Sequence, residues 1–405
     1  MAFSGERVSL DSGKGEIMTI HSFTRVWFVV CLALASAGMA QAASGRAALS
    51  LDGEWEFQLD RENGGEAAGW GAGEQACSGR VAVPGAWDAQ GFGEETDKLR
   101  HQFIGTGWYR RVVDIPREWQ GRRLFLCVGN VHRYSKTWVN GVYLGEHIGY
   151  LSPVEYGITE HVTPGQPARI VIAVDSKQRW DVDCLAGCID FMDEMDAPWG
   201  GFWGHIGLEA RARTWLDNLF VQSDATGTVR VTAGIAGEPR EGDAAHVIFR
   251  DASGEPAGEI APGAVRIEGG VLEGVTRLAD AKLWSTDHPH LYTAELVLAD
   301  ATGALDSATV RFGMRTLEPR GSQFYLNGAP FFLRGYGDDA IYPATMVPPA
   351  DKAFYLDRLK VIKSYGFNGC LLYTSDAADD LLCVDLGGRR IIKKKKNRTD
   401  ARGNQ

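Results

Sequence analysis

The sequence predicts a multidomain, mainly β protein: a jelly-roll sandwich over residues 43–213, an immunoglobulin-like β-sandwich over 214–313, and the start of a truncated (β/α)8 TIM barrel over 314–369. Three observations predict it. Short apolar or alternating runs recur between turn signals from residue 44 to residue 313. Asn-Gly pairs at 140–141 and 327–328 separate apolar runs, the strongest short hairpin signal. After residue 314 the period-2 pattern gives way to strand, loop, amphipathic helix and strand.

The front of the chain precedes all of this. Residues 1–17 are polar and glycine-rich, and Gly13-Lys14-Gly15-Glu16 fits a translated ribosome-binding site, so translation is expected to start at Met18. His21 and Arg25 give a weakly basic start, Val26–Ala37 is apolar, and Ala40-Gln41-Ala42 fits small-x-small cleavage. Residues 18–42 thus read as a signal peptide. The apolar run is too short for a spanning helix, which needs about 20 residues. The mature chain is expected to be periplasmic or secreted.

In the first domain the expected strands include Trp55–Leu59, Val81–Val83, Trp108–Ile115, Arg123–Val128, Lys136–Val139, Arg169–Val174 and His205–Glu209. This many short strands fits a double-sheet jelly roll. Pro116, Pro164 and Pro167 fall between strands, where the missing N–H breaks no ladder. In the second domain Asn218–Gln222, Thr228–Ile235, Ala244–Arg250, Gly274–Lys282, Tyr292–Ala299 and Ser307–Phe312 alternate. The stretches Gly237–Gly242 and Gly254–Gly263 read as loops.

The third region begins with a hairpin whose second strand, Pro330–Leu333, is apolar throughout and is expected to be buried. It should deliver Arg334, Gly335 and an acidic pair into a loop over Gly335–Pro349. The helix is expected over Ala350–Tyr365, with Phe354, Leu356, Leu359, Val361 and Ile362 near helical spacing. Asp351 sits in its first turn and Gly366 just past its end. Phe367-Asn368 should open the next strand. Strand, loop, helix, strand is a βαβ start, and a barrel presents its polar groups at the C-terminal ends of such strands.

Residues 370–405 read as translated sequencing-library adapter with a run of lysine codons at Lys393–Lys396. The alternative is a solvated basic tail. Non-native sequence carries no fold, so no nucleic-acid role is assigned to the lysine run.

The formal charge is −10, and more negative without that tail, which argues against nucleic acid and anionic membrane as partners. Twelve Trp with abundant Gly suggest strand-rich domains with aromatic surfaces, as in carbohydrate binders. Cys77, Cys127, Cys184 and Cys188 remain in the mature native part. Export permits a Cys184–Cys188 pair, and two lone thiols fit equally. No Cys/His spacing resembles a zinc site.

Eight phrases then occur in a recognisable order. L-D-G-E-W-E-F starts at Leu51, V-P-G-A-W at Val83, G-W-Y-R-R at Gly107 and W-V-N-G-V-Y-L-G-E-H at Trp138. G-G-F-W-G-H-I-G-L-E starts at Gly200, L-W-S-T-D-H-P-H-L-Y at Leu283, F-G-M-R at Phe312 and F-Y-L-N-G-A-P-F-F-L-R-G at Phe324. Together they resemble glycoside hydrolase family 2, the group holding β-galactosidases, β-glucuronidases and β-mannosidases. One departure stands out. Family members commonly follow L-R-G with an Asn and a His, whereas this chain has Tyr336-Gly337-Asp338-Asp339. Lactose- and glucuronide-type substrates lose weight on that account.

The resemblance implies retaining hydrolysis by two glutamates, roughly 5–5.5 Å apart, one protonating the leaving oxygen and one attacking the anomeric carbon. In the family the acid follows an Asn on a later barrel strand. No Asn-Glu pair occurs here, so no catalytic residue is assigned and this polypeptide is expected to be inactive. The substrate-binding candidates are Asp196, Asp338 and Asp339. The last two would accept sugar hydroxyls at the barrel mouth, and the competing reading is a solvated acidic loop. Asp196 matches the family's acidic residue in the loop before the G-G-F-W strand. Asp193 and Glu194 are alternatives, and a solvated acidic loop or a calcium site competes.

Arg334 is expected to pair with a carboxylate inside the barrel. His101, His132, His147, His161 and His205 read as packing or surface residues. Trp138, Trp199 and Trp203 are candidates to stack on sugar faces, with core packing favoured for Trp138. No cofactor is expected, with a divalent or sodium ion left open. The expected partner is an oligo- or polysaccharide or glycoside, with no nucleic acid and no membrane after signal cleavage. Oligomeric state has no signal in the sequence. The competing readings are a non-catalytic carbohydrate-binding pair of sandwiches and a scaffold protein.

Overall fold

The computed structural model describes residues 45–95, 101–149, 152–177, 199–338, 342 and 344–372. They are mainly β. A six-stranded antiparallel sheet runs in the order Val142–Ile148, Tyr134–Val139, Pro167–Asp175, Thr106–Asp114, Gly53–Asp60, Gly79–Val83. A four-stranded sheet runs Ala47–Ser50, Ile206–Arg211, Arg123–Val128, Val154–Gly157. Alternation places every second side chain between the two sheets. Trp55, Phe57, Tyr109, Ile170 and Ile172 from one sheet meet Leu124, Leu126, Val128, Ile206 and Leu208 from the other in a single core. Each large apolar side chain so buried contributes about 1.5–3 kcal/mol. The opposite parity points outward, where Trp108, Trp138, Val171 and Ala173 form a second small cluster under Trp70. Trp138 packs there, stacked on Trp108 with centroids 5.2 Å apart.

The second sandwich has two four-stranded sheets. One runs Thr214–Ser223, Thr228–Gly237, Val271–Arg277, Arg266–Glu268, and the other Pro256–Ile260, Ala244–Arg250, Tyr292–Asp300, Gly303–Phe312. Leu216, Val231, Phe249, Leu272, Leu296 and Met314 fill its core. Two sequence expectations need correction here. Gly254–Gly263 is not all loop: Pro256–Ile260 is a strand paired with Ala244–Arg250 across a bulge. Only Ile260 of that strand is fully buried, so alternation left almost no trace. The strand expected over Gly274–Lys282 instead spans Val271–Arg277. The chain turns after it, with Asp280 at φ 52°.

The third region opens with the antiparallel hairpin Leu317–Arg320, Gln323–Leu326, Ala329–Phe331. Pro330–Leu333 is not the buried strand expected from its composition. The strand ends at Phe331, and Phe332 and Leu333 are 78% and 47% exposed. The loop expected from Gly335 begins later, because Gly335–Asp338 is itself a strand, paired in parallel with Gly369–Leu372. Between them lies the helix Lys352–Ser364. Asp351 is its N-cap rather than a first-turn residue, and its side chain accepts the Ala353 amide at 2.8 Å. Gly366 at φ 87° turns the chain out of the helix.

Candidate functional site

Of the three substrate-contact candidates, Asp196 and Asp339 lie outside the described residues, as do Asp193, Glu194, Cys184 and Cys188. The backbone of Asp338 ends the strand Gly335–Asp338, opposite Leu372. Two pieces of geometry bear on these positions: the frame that holds both ends of the segment 178–198, and the parallel strand pair.

The frame is built at one end of the first sandwich. Gly201–Phe202 pairs with Gly85–Ala86 on one side and Val131–His132 on the other. The His132 ring is buried and stacks on Trp199, centroids 4.2 Å apart and planes 20° off parallel. Its Nδ1 lies 2.7 Å from the Trp199 carbonyl oxygen, and the Arg133 Nε–H points at its Nε2 at 3.3 Å. These partners assign the tautomer: Nδ1–H donates to the carbonyl, and Nε2 accepts from the guanidinium. Burial, then the Arg133 charge, pushes His132 down to about 3, partly offset by the bond to Trp199. The imidazole is therefore neutral and holds position rather than moving a proton.

Neighbouring groups complete the frame. Asp88, also buried, accepts the amides of Phe103 and Gly200, each at 2.9 Å. The Trp87 amide donates to the Gly200 carbonyl at 2.9 Å. A Cβ on Gly200 would lie 1.8 Å from the Trp87 ring, so only glycine fits. On the other side of the segment, the Arg133 amide donates to the Asp175 carbonyl at 3.1 Å, and Ser176 exchanges hydrogen bonds with Gly105. Adjacent residues, His132 and Arg133, thus hold Trp199 and Asp175. Trp199, a candidate to stack on sugar, has one face stacked on His132 and is half-buried. His132 was read as a packing or surface residue, and its place in this frame is tertiary: the partners are 67 positions apart.

At the parallel pair, the Asn368 side chain acts as an extra strand partner. Its Oδ1 accepts the Arg334 amide at 2.7 Å, its Nδ2 donates to the Phe332 carbonyl at 3.0 Å, and its own amide donates to the Arg334 carbonyl at 3.0 Å. Among the described residues Arg334 meets a backbone carbonyl rather than the carboxylate expected of it. Its Nε donates to the Gly366 carbonyl at 2.6 Å, on an exposed surface, because the turn after the helix presents that carbonyl beside it.

One cluster escaped the sequence reading. Ligand atoms of Cys127, Glu155 and Glu209 lie within 4.8 Å of one another. Arg211 already claims both carboxylates, at 2.6 and 2.7 Å. Burial and the two carboxylates push the Cys127 thiol up to about 12. Arg211 thus supplies the counter-charge for both carboxylates beside a protonated thiol.

Comparison with known proteins follows this geometry. The family model for "Glycosyl hydrolases family 2, sugar binding domain" matches residues 48–192, and that for "Glycosyl hydrolases family 2" matches 214–315. A β-glucuronidase of Paenibacillus borealis is 27% identical over 303 residues, covering 71% of this chain and 48% of that protein. A β-galactosidase of Thermoanaerobacter pseudethanolicus is 24% identical over 242 residues, covering 58% and 32%. Among solved structures, a β-glucuronidase of Ruminococcus gnavus superposes with a TM-score of 0.66 at 22% identity, covering 80% of this chain and 55% of that one. The chain thus spans about half the length of the curated β-glucuronidases it matches. With both family models matching, over residues 48–192 and 214–315, the chain belongs to glycoside hydrolase family 2.

Proposed function

We propose that this chain is the N-terminal part of an exported retaining β-glycosidase. The observation that carries the reading is the strand Gly335–Asp338, the helix Lys352–Ser364 and a parallel partner strand that begins at Gly369, directly after two sandwiches of this family; of that partner only Gly369 lies ahead of the stretch read as adapter. A parallel βαβ unit in that place is how a (β/α)8 barrel begins. The two glutamates would then stand on later barrel strands, and residues 314–369 would supply the first rim positions.

In this reading Asp338 and Asp339 contact substrate hydroxyls at the rim. Asp196 reaches the same substrate from the segment whose ends His132 and Arg133 hold. The hydrolysis itself calls for no organic cofactor, and a divalent or sodium ion stays open. The substrate is a β-linked glycoside. Glucuronides and galactosides come first for assay because the relatives are named for them, although Tyr336-Gly337-Asp338-Asp339 departs from the rim those substrates usually meet.

The test is to sequence the native locus past the codon for Gly369, express the continuous reading frame, and assay aryl β-glycosides. The expected result is a frame that runs through a barrel with two rim glutamates and hydrolyses at least one glycoside, while the 405-residue chain hydrolyses none. A native stop near Gly369 overturns the enzyme and leaves glycan binding by the sandwiches as the function.

A further inference from the structure

Gly45 and Arg46 belong to the first sandwich, since they lead into its strand Ala47–Ser50, yet both lie against the second. Arg46 Nε is 3.1 Å from each oxygen of Asp306, and Nη2 is 3.0 Å from Oδ2. Nη2 also donates to the Leu216 carbonyl. Asp306 sits in the second sandwich's strand Gly303–Phe312 and is fully buried. Its Oδ2 accepts the Leu216 amide as well, at 2.7 Å. A carboxylate cut off from water is thus held by a guanidinium that comes from the other domain.

Gly45 adds a second, independent contact. A Cβ at this position would lie 1.6 Å from the Leu305 carbonyl oxygen and 3.0 Å from the Asp306 Cα. The Gly45 carbonyl accepts from Arg122 of the first sandwich at 3.0 Å. The segment is therefore layered between the domains, and only glycine fits. The covalent connection, by contrast, is just Ala212 and Arg213, between the strands Ile206–Arg211 and Thr214–Ser223. Of the remaining cross-domain contacts, Phe125 meets Trp215 edge-on at 5.3 Å, and Arg123 pairs with Glu238 in solvent. An exposed pair holds little, whereas a buried charge that loses its partner is strongly penalised.

We propose that Gly45–Arg46 is an interdomain clasp. It locks the two sandwiches into one rigid frame, and its release turns Ala212–Arg213 into a hinge. The consequence reaches the third region, because Asn327 ties the hairpin to the second sandwich through Thr316 and the Trp284 carbonyl. Only with the clasp closed do that hairpin and the His132–Trp199 frame keep a fixed relation.

The test uses the full chain, calorimetry, and trypsin cleavage after Arg213, a residue held by Asp243, Asp300 and Glu238 of the second sandwich, so that cleavage reads opening of the connection together with release of those contacts. Two variants attack the clasp differently. Arg46→Met with Asp306→Asn removes both charges together. Gly45→Val leaves every charge and both cores intact and pushes on Leu305. The expected results are a single unfolding transition for the wild type, two transitions for either variant, and cleavage after Arg213 faster by about ten-fold or more. A wild type that already unfolds in two separate steps overturns the clasp. So does a Gly45→Val protein with one transition and cleavage within about two-fold of wild type, since Arg46 and Asp306 would then only close the second sandwich's core. If the double variant does not fold, Gly45→Val decides alone.

Discussion

The first sandwich and the region after residue 314 use similar apolar residues in opposite ways. In the sandwich Trp55, Phe57 and Trp87 are at most 1% exposed. In the later region Phe332 and Tyr365 are 78% and 80% exposed, and the helix Lys352–Ser364 buries none of its residues. A short helix owes most of its stability to packing of its apolar face. Contiguous exposed apolar surface marks a place built to meet something else. The sandwiches carry their own cores. The βαβ unit carries only one side of a core, which is what a first barrel unit would carry.

The sharpest way to break this contrast is to truncate one aromatic in each region. Phe57 is fully buried and touches Trp87, Phe92 and Tyr109. Phe57→Ala is expected to cost about 3–5 kcal/mol of the sandwich's stability in a denaturant titration. Phe332→Ala is expected to fall within about 0.5 kcal/mol of wild type. A loss of similar size in both would mean that Phe332 is packed in solution, and the contrast would collapse.

The next test compares polar groups. Arg334 makes its bonds on an exposed surface, whereas His132 is sealed in. Its folded value of about 3 lies below the ordinary 6.5. Between these values the unfolded chain binds a proton that the folded chain refuses, so stability is full above pH 6.5 and falls as pH drops toward 3. The slope from this one group is about 1.4 kcal/mol per pH unit. The interval from about pH 6.5 to 5 separates it from the carboxylates, whose ordinary values lie near 4. His132→Gln should flatten the stability profile there, and an unchanged slope would show that His132 is charged or exposed in the folded protein.

What was legible in the sequence follows the same division. Strands such as Arg123–Val128 and Ala244–Arg250 could be read because one face is buried and alternation records it. Pro256–Ile260 was missed because an edge strand with one buried residue leaves no alternation. Pro330–Leu333 departs from its composition because an apolar run states what a segment is made to pack against, not whether anything covers it. Asp338 and Asp339 were singled out by residue type and place in the chain, and Asp196 by family position. His132, Arg133 and Trp199 form their frame across a long sequence separation, and no local pattern encodes that contact. The clasp at Arg46 was silent for the same reason: its partner is 260 positions away.

The smallest effect comes from two turns of the same type. Asn140-Gly141 has φ of 50° and 81°, and Asn327-Gly328 has 52° and 82°, so both are positive-φ hairpin turns that favour Asn-Gly. Both asparagines are stitched to their surroundings, but to different ones: Asn140 Oδ1 accepts the Arg169 amide and Nδ2 donates to the His161 carbonyl within the first sandwich, both at 2.8 Å, whereas Asn327 Oδ1 accepts the Thr316 amide at the hairpin's own base at 3.0 Å and Nδ2 donates to the Trp284 carbonyl at 2.9 Å. Replacing the glycine with alanine forces an L-residue into the left-handed region, at about 1–2 kcal/mol. In Gly141→Ala that strain is coupled to the sandwich and should appear in full in its global unfolding. In Gly328→Ala, where an added Cβ meets nothing within 4 Å, the same backbone strain should appear as faster amide exchange within 323–331 and leave the sandwich transition unmoved. A shift of the main transition by Gly328→Ala as large as that by Gly141→Ala would show that the hairpin unfolds together with the sandwiches, and the boundary between closed and open regions would have to move past it.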